Sequence, residues 1–488
     1  MTDFPTEAAS HGTLGARASR AAFVSLVGQG AAQGLRLVGN LILSYLLFPE
    51  AFGLMAIVNM VLLGLQIMSD LGLQPAIIRH PRGDDPDFVN TAWTIGLIRG
   101  VALFAIGVAL TVPIARFYRE PMLIELVPVA TFSALILGFA STKVVTLTRH
   151  LRPGPVLAIE VTAQAAGLVA MAVYAKLHPS VWALVIGGLV TALIKTLLSQ
   201  WALPGPINRF RWEARARRDL VSFGKWLFVS SIFTFIAMRV DVAMLGRLLP
   251  VDTLGIYSIG IMLSVVVRDV LQQIYRFALM PALAASHRAG AGVLAENFAR
   301  VRTLALPAAL FAILGATLLA PAFFGLLYDE RYHAAAWIAQ LSMLAVWFSF
   351  LADVAGSALL AVGNSRAWAF TNGVRALTTA AGCAIGFAIA GLPGLMVGAA
   401  VGTLSAYLVS AIQLAGIGVP TFGRDLPYTM LGLAIGGIGA FAPRVGNVPD
   451  ARALALRSLL ATVVLLVPYG LWVGRRLLIA RRAQMVTP

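Results

Sequence analysis

Long apolar stretches follow one another along most of the chain, separated by Pro, Gly and clustered charges. Each has roughly the 20 residues that an α-helix needs to cross the hydrocarbon core of a bilayer. We place them at 20–47, 51–73, 89–114, 122–144, 154–176, 180–202, 221–248, 252–277, 299–327, 333–362, 365–390, 393–416, 428–443 and 452–474. The pattern predicts an all-α integral membrane protein with about 14 transmembrane helices.

One local design occurs twice, at an offset of 202 residues. Leu46–Gly53 aligns with Leu248–Gly255, and each segment makes a tight turn between two apolar helices. The offset spans six predicted helices, an even number, so both copies insert with the same orientation. Parallel repeats of this kind are related by an axis along the membrane normal, and a substrate site is expected between them near the midplane.

The repeat predicts how the chain is divided. We expect a cytoplasmic N-terminal segment at 1–19, an N-lobe of six helices at 20–202, a basic cytoplasmic linker at 203–220, a C-lobe of six helices at 221–416, two further helices at 428–474 and a cytoplasmic tail at 475–488. Lys and Arg are concentrated on one side, above all at Asn208–Arg218. By the positive-inside rule, both termini are predicted to be cytoplasmic.

Composition agrees with a membrane protein. The chain is 59% hydrophobic and 12% charged, whereas soluble domains are nearer a quarter charged. The formal charge of +16 indicates topology or an acidic substrate and not nucleic acid, because no polar domain is available to carry a basic face. The six His residues are scattered, and no His/Asp/Glu cluster has metal-binding spacing. No catalytic residue, metal or cofactor is therefore predicted.

Polar residues recur along one face of several predicted helices. A stripe on the first helix, at spacings of three and four, holds Gln29, Gln33, Arg36 and Asn40. Gln66 and Asp70 are spaced by four on the second helix, and Arg268 and Gln272 on the eighth. A charge in a span costs about 2.5–3.5 kcal/mol, so most must face an aqueous cavity or one another. The alternative is that they only hold helices together.

These stripes supply the candidate site. The substrate-binding candidates are Gln29, Gln33, Arg36, Asn40, Gln66, Arg239, Arg268, Gln272 and Arg375. Their excess of Arg favours an anionic guest, because guanidinium binds phosphate in a bidentate manner. Further intramembrane charges, which we do not assign to the site, are Arg99, Glu160, Lys195, Lys225 and Asp353.

A buried acid can couple transport to H⁺ or Na⁺, because its affinity for the ion changes when the cavity opens to either side. The candidates are Asp241, on a face with Ser230 and Thr234, and then Asp70 and Asp269. Structural pairing is the alternative role for each. Arg239 lies about 200° around the helix from Asp241, so the two are not expected to face one narrow cavity together.

Four segments carry a family resemblance. Ser69–Arg79, Phe88–Trp93, Leu151–Glu160 and Asp241–Ser258 resemble signatures of bacterial polysaccharide-transport flippases, in the expected order. The chain is similar to the Wzx-type lipid-linked oligosaccharide flippases of the MATE-like MOP superfamily. The resemblance implies two six-helix lobes around a central cavity, with two further C-terminal helices. It also implies movement of undecaprenyl-diphosphate-linked sugar units from the cytoplasmic to the periplasmic leaflet of the bacterial inner membrane by alternating access.

The implied partners are a polyprenyl-diphosphate-linked oligosaccharide, membrane lipids, and a polysaccharide polymerase with a chain-length regulator; no nucleic acid is among them. Two other classes remain open. A membrane-embedded sugar polymerase or ligase is disfavoured because the predicted external segments are too short to hold two substrates. A cation-coupled multidrug or metabolite exporter of the same superfamily is disfavoured by the excess of Arg over acidic residues.

Overall fold

The computed structural model describes residues 11–69, 72–274, 291–441 and 451–486, and within these ranges it is all-helical, with no strand. The helices are α1 (His11–Leu46), α2 (Pro49–Met68), α3 (Leu73–Arg79), α4 (Pro86–Tyr118), α5 (Leu123–Gly138), α6 (Lys143–Arg149), α7 (Pro153–Leu177), α8 (Trp182–Trp201), α9 (Ala214–Leu248), α10 (Val251–Ile274), α11 (Ala291–Leu327), α12 (Ala335–Ala361), α13 (Ser365–Gly416), α14 (Phe422–Phe441) and α15 (Ala451–Val486). A 3₁₀ turn lies at Glu330–Tyr332.

The helices are those of a multi-pass membrane protein. In the described ranges, nine are long and apolar enough to cross a bilayer, and the bent pair α5–α6 would make a tenth. Each of the fourteen ranges expected from the sequence overlaps a helix. That all fourteen cross the membrane stays a prediction.

The longest helix, α13, is a hairpin of two helices. Ala390 and Gly391 leave the helical conformation, and Gly391 adopts φ 60° with ψ −139°, a region that is open almost only to glycine. The two arms pack closely at Gly386 against Gly394 and at Gly382 against Gly398, where an added Cβ would overlap the facing carbonyl oxygen. Small residues at such spacing let membrane helices approach backbone to backbone. This turn matches the break expected between 365–390 and 393–416.

The chain divides into two compact units. Unit 1 holds the residues up to Leu46 together with Val58–Ser231, and unit 2 holds Leu47–Ile57 with the residues from Ile232 onward. The start of α2 thus groups with the second unit, and 203–220 with the first. The lobe boundaries expected from the sequence were 20–202 and 221–416, and these stay a prediction.

In unit 1, α7 packs between α1 and α8, while α5 packs against α4 and α8. In unit 2, α12 is the central helix: it packs on α10, α11 and α13, and 78% of its apolar span is buried. Its side chains form the largest share of a large apolar core, which also includes Leu310, Leu314 and Tyr407. Apart from Gln340, Asp353 and a few serines, the sequence of α12 is apolar, as burial of most of its surface requires.

A buried ion pair holds α14 in unit 2. Arg302 of α11 pairs with Asp425 near the start of α14, and their side chains are 2% and 1% exposed. The Tyr407 hydroxyl, on α13, donates to the same carboxylate at 2.6 Å, and the Phe298 ring lies under the guanidinium at 5.1 Å. Since a buried charge is tolerated only when paired, this contact fixes where α14 begins.

Candidate functional site

In unit 2, polar side chains from α10, α12 and α13 meet around one carboxylate. The Gln272 amide donates to Asp353 Oδ2 at 3.3 Å. Arg375 Nη1 lies 3.7 Å from Asp353 Oδ1, and its Nη2 donates to Ser349 Oγ at 3.1 Å. Beside this group lies a small pocket, lined by Arg268, Leu271, Gln272, Val346, Phe350 and Asp353.

The two arginines of this cluster differ in how firmly they are held. The Arg375–Asp353 pair is about one fifth exposed. Arg268 Nε lies 3.9 Å from Asp269 Oδ1, at the limit of an ion pair, and both side chains are about one third exposed. A loosely paired, partly exposed guanidinium can exchange its carboxylate for phosphate oxygens, with which it forms short bidentate hydrogen bonds. The geometry therefore suits reversible binding of an anion.

The structure thus brings together three of the expected site residues, Arg268, Gln272 and Arg375, and places Asp269 beside them. It adds Asp353, an intramembrane charge that was left outside the expected site, and Ser349. With Ser342 and Ser357, these residues lie at helical spacing on one face of α12. A single acid inside a long apolar helix was the available signal, since such a charge needs a partner.

In unit 1, the stripe of α1 runs beside α7. Arg36 and Gln29 are exposed, whereas Gln33 and Asn40 are half-buried. With the Gln164 carboxamide oriented to satisfy both of its atoms, its oxygen accepts from Arg36 Nε at 3.1 Å and its nitrogen donates to the Ala32 carbonyl at 3.3 Å. The four stripe residues are thus on one helix face, as the spacing requires.

Arg99 of α4 contacts the backbone at Gln66, one of the substrate-binding candidates. The Gln66 carbonyl oxygen accepts from Arg99 Nη2 at 2.7 Å, and Arg99 Nε donates to Ser69 Oγ at 2.9 Å. Arg99 therefore ties α4 to the last turn of α2, which is a structural use of an intramembrane charge. Asp70, the second coupling candidate, lies outside the described residues.

Asp241 is held by one tyrosine. The Tyr257 hydroxyl, on α10, donates to Asp241 Oδ2 at 2.6 Å. Asp241 Oδ1 and Arg239 Nε are both buried without a hydrogen-bond partner in the described part of the chain. The side chains of Ser230 and Thr234, expected on the same face, lie outside the described ones. Among the described residues, no group of three His, Cys, Asp or Glu side chains could hold a metal ion.

The basic linker lies on unit 1 as an ordered strap at 203–213. Asn208 Oδ1 accepts from Ser141 Oγ at 2.7 Å and from the backbone N–H of Thr142 at 3.2 Å. Three backbone N–H groups, those of Arg209, Arg211 and Glu213, donate to Asn90, Thr94 and Thr91 of α4. Because α9 begins at Ala214, the remainder of the linker, 214–220, is helical.

One arginine anchors the far end of this strap. Arg82 donates to Glu213 through Nη1 at 2.9 Å and Nη2 at 2.8 Å, and through Nε to Asp85 at 2.7 Å. These hydrogen bonds from Arg82 hold the pKa of both carboxyls, Glu213 and Asp85, below their ordinary values. The same bonds raise the pKa of the guanidinium. The linker is therefore fastened by charge as well as by its backbone.

Comparison with known proteins agrees with this architecture. A family model described as polysaccharide biosynthesis protein matches residues 42–333, which confirms the resemblance inferred from the sequence motifs. Teichuronic acid biosynthesis protein TuaB of Bacillus subtilis (strain 168) is 22% identical over 62% of each chain. An uncharacterized membrane protein in the cps region of Klebsiella pneumoniae is 22% identical over 66% of each chain. The chain thus spans less than two thirds of the length of either relative.

Solved structures show the fold. The lipid II flippase MurJ, in an inward closed conformation, is similar with a TM-score of 0.69 over 93% of this chain and 99% of that one, at 10% identity. An inward-facing multidrug resistance MATE family transporter of the MOP superfamily is similar with a TM-score of 0.62 over 79% of this chain and 95% of that one, at 14% identity. The fold is therefore the helical one that MATE and MurJ transporters share.

Proposed function

Because the chain belongs to the polysaccharide biosynthesis protein family, we propose that it translocates undecaprenyl-diphosphate-linked oligosaccharide repeat units across a bacterial inner membrane. The units move from the cytoplasmic to the periplasmic leaflet by alternating access between two six-helix lobes. Fourteen crossings with both termini cytoplasmic, and exchange of substrate with a polymerase and a chain-length regulator, belong to the same proposal. The chain acts as a transporter and catalyses no covalent step.

The observation that carries the proposal is the arginine cluster of unit 2. Arg268 lines the pocket together with Asp353, and Arg375, on a second helix, pairs with that same Asp353. Inside a membrane span each charge costs about 2.5–3.5 kcal/mol on insertion scales. A diphosphate offers several oxygens in the geometry that guanidinium groups prefer. It would release Arg268 and Arg375 from Asp269 and Asp353, and the carboxylates would take the arginines back when the substrate leaves.

An apolar groove in unit 2 fits the lipid part of such a substrate. It lies between α11 and α15 and is lined by Phe311, Thr462, Val463, Leu466, Val467, Gly470 and Leu471. Several of these side chains are more than half exposed. An isoprenoid chain laid there would pack against these side chains through van der Waals contacts, which drive association of apolar groups inside a bilayer.

In this transport cycle, Asp241 is the residue that couples transport to the ion gradient. Its second carboxylate oxygen is buried and has no hydrogen-bond partner among the described residues, so it could accept a proton or contribute one ligand to Na⁺. A change in access to this oxygen between the two states of the cavity would couple the ion gradient to transport.

The proposal is tested with the purified protein in proteoliposomes that contain a labelled undecaprenyl-diphosphate-linked oligosaccharide. Movement between leaflets is measured by the access of an external reagent to the label. We expect Arg268→Gln and Arg375→Gln each to slow translocation at least tenfold, whereas Arg366→Gln, an exposed change on the same helix as Arg375, leaves it unchanged.

Three other results would count against the proposal. Absence of translocation by the wild-type protein would overturn it directly. Export of a cationic dye, without movement of the lipid-linked oligosaccharide, would support the cation-coupled exporter instead. Lengthening or transfer of the glycan would support the polymerase or ligase.

A further inference from the structure

A second charged cluster lies in unit 1, on α7 and α8. Lys195 Nζ lies 2.5 Å from Glu160 Oε2, and the two side chains are 35% and 41% exposed. Both residues lie inside spans that are apolar enough to cross a membrane. An ion pair in such a place is either sealed by packing or accessible at the helix surface, and exposures above one third mean that this pair is accessible.

The face that bears Glu160 is opposite the apolar face of α7. Gln164 follows Glu160 by one turn, and the exposed Val169 and Val173 follow Glu160 and Gln164 by nine residues each. Nine residues at about 100° per residue amount to two and a half turns. The valines therefore lie on the opposite side of α7 from Glu160 and Gln164. With the valine side facing lipid, the side that bears Glu160 faces water.

This polar face continues onto α1. Gln164 connects to the exposed Arg36 through the 3.1 Å bond from Arg36 Nε, and α7 packs directly against α1 and α8. The helices α1, α7 and α8 thus place a carboxylate, an ammonium, a carboxamide and a guanidinium along a stretch of α7 that is about two turns long. Half-exposed charges on a lipid-facing surface would cost about 2.5–3.5 kcal/mol each, which favours an aqueous, ligand-accessible face.

The chemistry of this face differs from that of the arginine cluster. Glu160 and Lys195 neutralise each other, so the pair attracts an anion only weakly. It offers carboxylate acceptors beside ammonium donors, with the Gln164 amide supplying one of each. Adjacent hydroxyls on a sugar ring are both donors and acceptors, and hydrogen bonds to charged groups are stronger than those between neutral groups.

From this geometry we infer that the Glu160–Lys195 pair binds sugar hydroxyls and determines which glycan the protein accepts. The inference rests on the proposed function, since it concerns the sugar part of the lipid-linked substrate. The arginine cluster of unit 2 would bind the diphosphate irrespective of the sugar. Removing the pair should therefore weaken recognition of the glycan and leave the lipid diphosphate alone unaffected.

The test compares two substrates in proteoliposomes: the lipid-linked repeat unit from the source strain, and undecaprenyl diphosphate without sugar. For Glu160→Gln and Lys195→Gln we expect KM for the glycan-bearing lipid to rise about tenfold, with kcat and the transport of undecaprenyl diphosphate unchanged. The matched control is Glu296→Gln, which breaks an exposed ion pair with Arg300 in unit 2 and should change neither.

A charge-swapped double variant distinguishes sugar binding by the pair from a purely structural role between α7 and α8. Glu160→Lys with Lys195→Glu restores an ion pair but exchanges its donors and acceptors. If the pair only braces α7 against α8, the swap regains the wild-type KM; if it binds sugar, KM stays raised. Unchanged KM in the single variants, while the wild type moves the glycan-bearing lipid, overturns the inference and leaves the proposed function standing. If the wild type moves neither lipid, the proposed function fails as well.

Discussion

Gly53 and Gly255 make reciprocal contacts with the backbone of each other's turn. A Cβ on Gly53 would overlap the carbonyl oxygen of Val251, and a Cβ on Gly255 would overlap that of Pro49. Both pairs are related by the 202-residue offset of the repeat, so each copy of the turn uses its glycine to receive the helix start of the other. Tyr332 joins this contact, donating through its hydroxyl to the Leu47 carbonyl at 2.9 Å.

We predict that Gly53→Ala and Gly255→Ala each destabilise the protein and slow transport. The new methyl group meets backbone, which cannot rotate away, and overpacking of this kind costs about 1–3 kcal/mol. The thermal transition in detergent should fall by several degrees for both variants and by a similar amount. Gly34→Ala is the control, because nothing lies within 4 Å of a Cβ there; an equal loss in that variant would contradict the prediction.

Asp241→Asn should uncouple transport from the ion gradient. The asparagine oxygen can still accept from the Tyr257 hydroxyl, so the 2.6 Å contact survives while the titratable charge is removed. We expect translocation that no longer responds to imposed pH or Na⁺ gradients. Tyr257→Phe removes the donor and keeps the carboxylate, so it should retain the response. A normal response in Asp241→Asn, at normal abundance, would make Asp241 structural.

The Arg302–Asp425 pair should contribute more to the stability of the folded protein than to its transport activity. Asp425→Asn leaves Arg302 buried without a counter-charge, and breaking such a pair costs about 3–5 kcal/mol. Denaturant titration in mixed micelles should show this loss. The double variant Arg302→Met with Asp425→Leu should recover most of it, because no charge is then left unpaired. Arg300→Gln, on the exposed side of the same helix, is the control and should have no effect.

The strap at 203–213 should loosen in acid. The pKa values of Glu213 and Asp85 are lowered by hydrogen bonds from Arg82. Their contribution to stability is therefore present above the ordinary carboxyl pKa of about 4 and is lost as pH falls through the lower folded values. Amide exchange of the strap, corrected for intrinsic rates, should accelerate below pH 4.

Glu213→Gln should give the accelerated exchange already at pH 7 and should weaken its pH dependence. Arg211→Gln removes an ion pair with Asp87 that is about half exposed on both sides, and such pairs contribute little. If this variant loosens the strap as much as Glu213→Gln does, the anchoring role of Arg82 is wrong.

Sequence alone determined the features that depend on local composition. Apolar length and the breaks at Pro and Gly located the helices, including the turn at Gly391, because a bilayer admits only segments that satisfy their own backbone. The offset between Leu46–Gly53 and Leu248–Gly255 revealed the repeat. The spacing of the α1 stripe placed Gln29, Gln33, Arg36 and Asn40 on one face, since helical periodicity is a property of the chain itself.

Tertiary structure decided the partner of each polar group. The pairing of Glu160 with Lys195, of Asp353 with Arg375 and of Asp241 with Tyr257 depends on how helices rotate against their neighbours. That rotation is determined by packing between small residues over the whole length of each contact. The spacing of charges along one helix carries no information about it. The sequence therefore showed which side chains needed partners, and only the packed helices showed which partners they have.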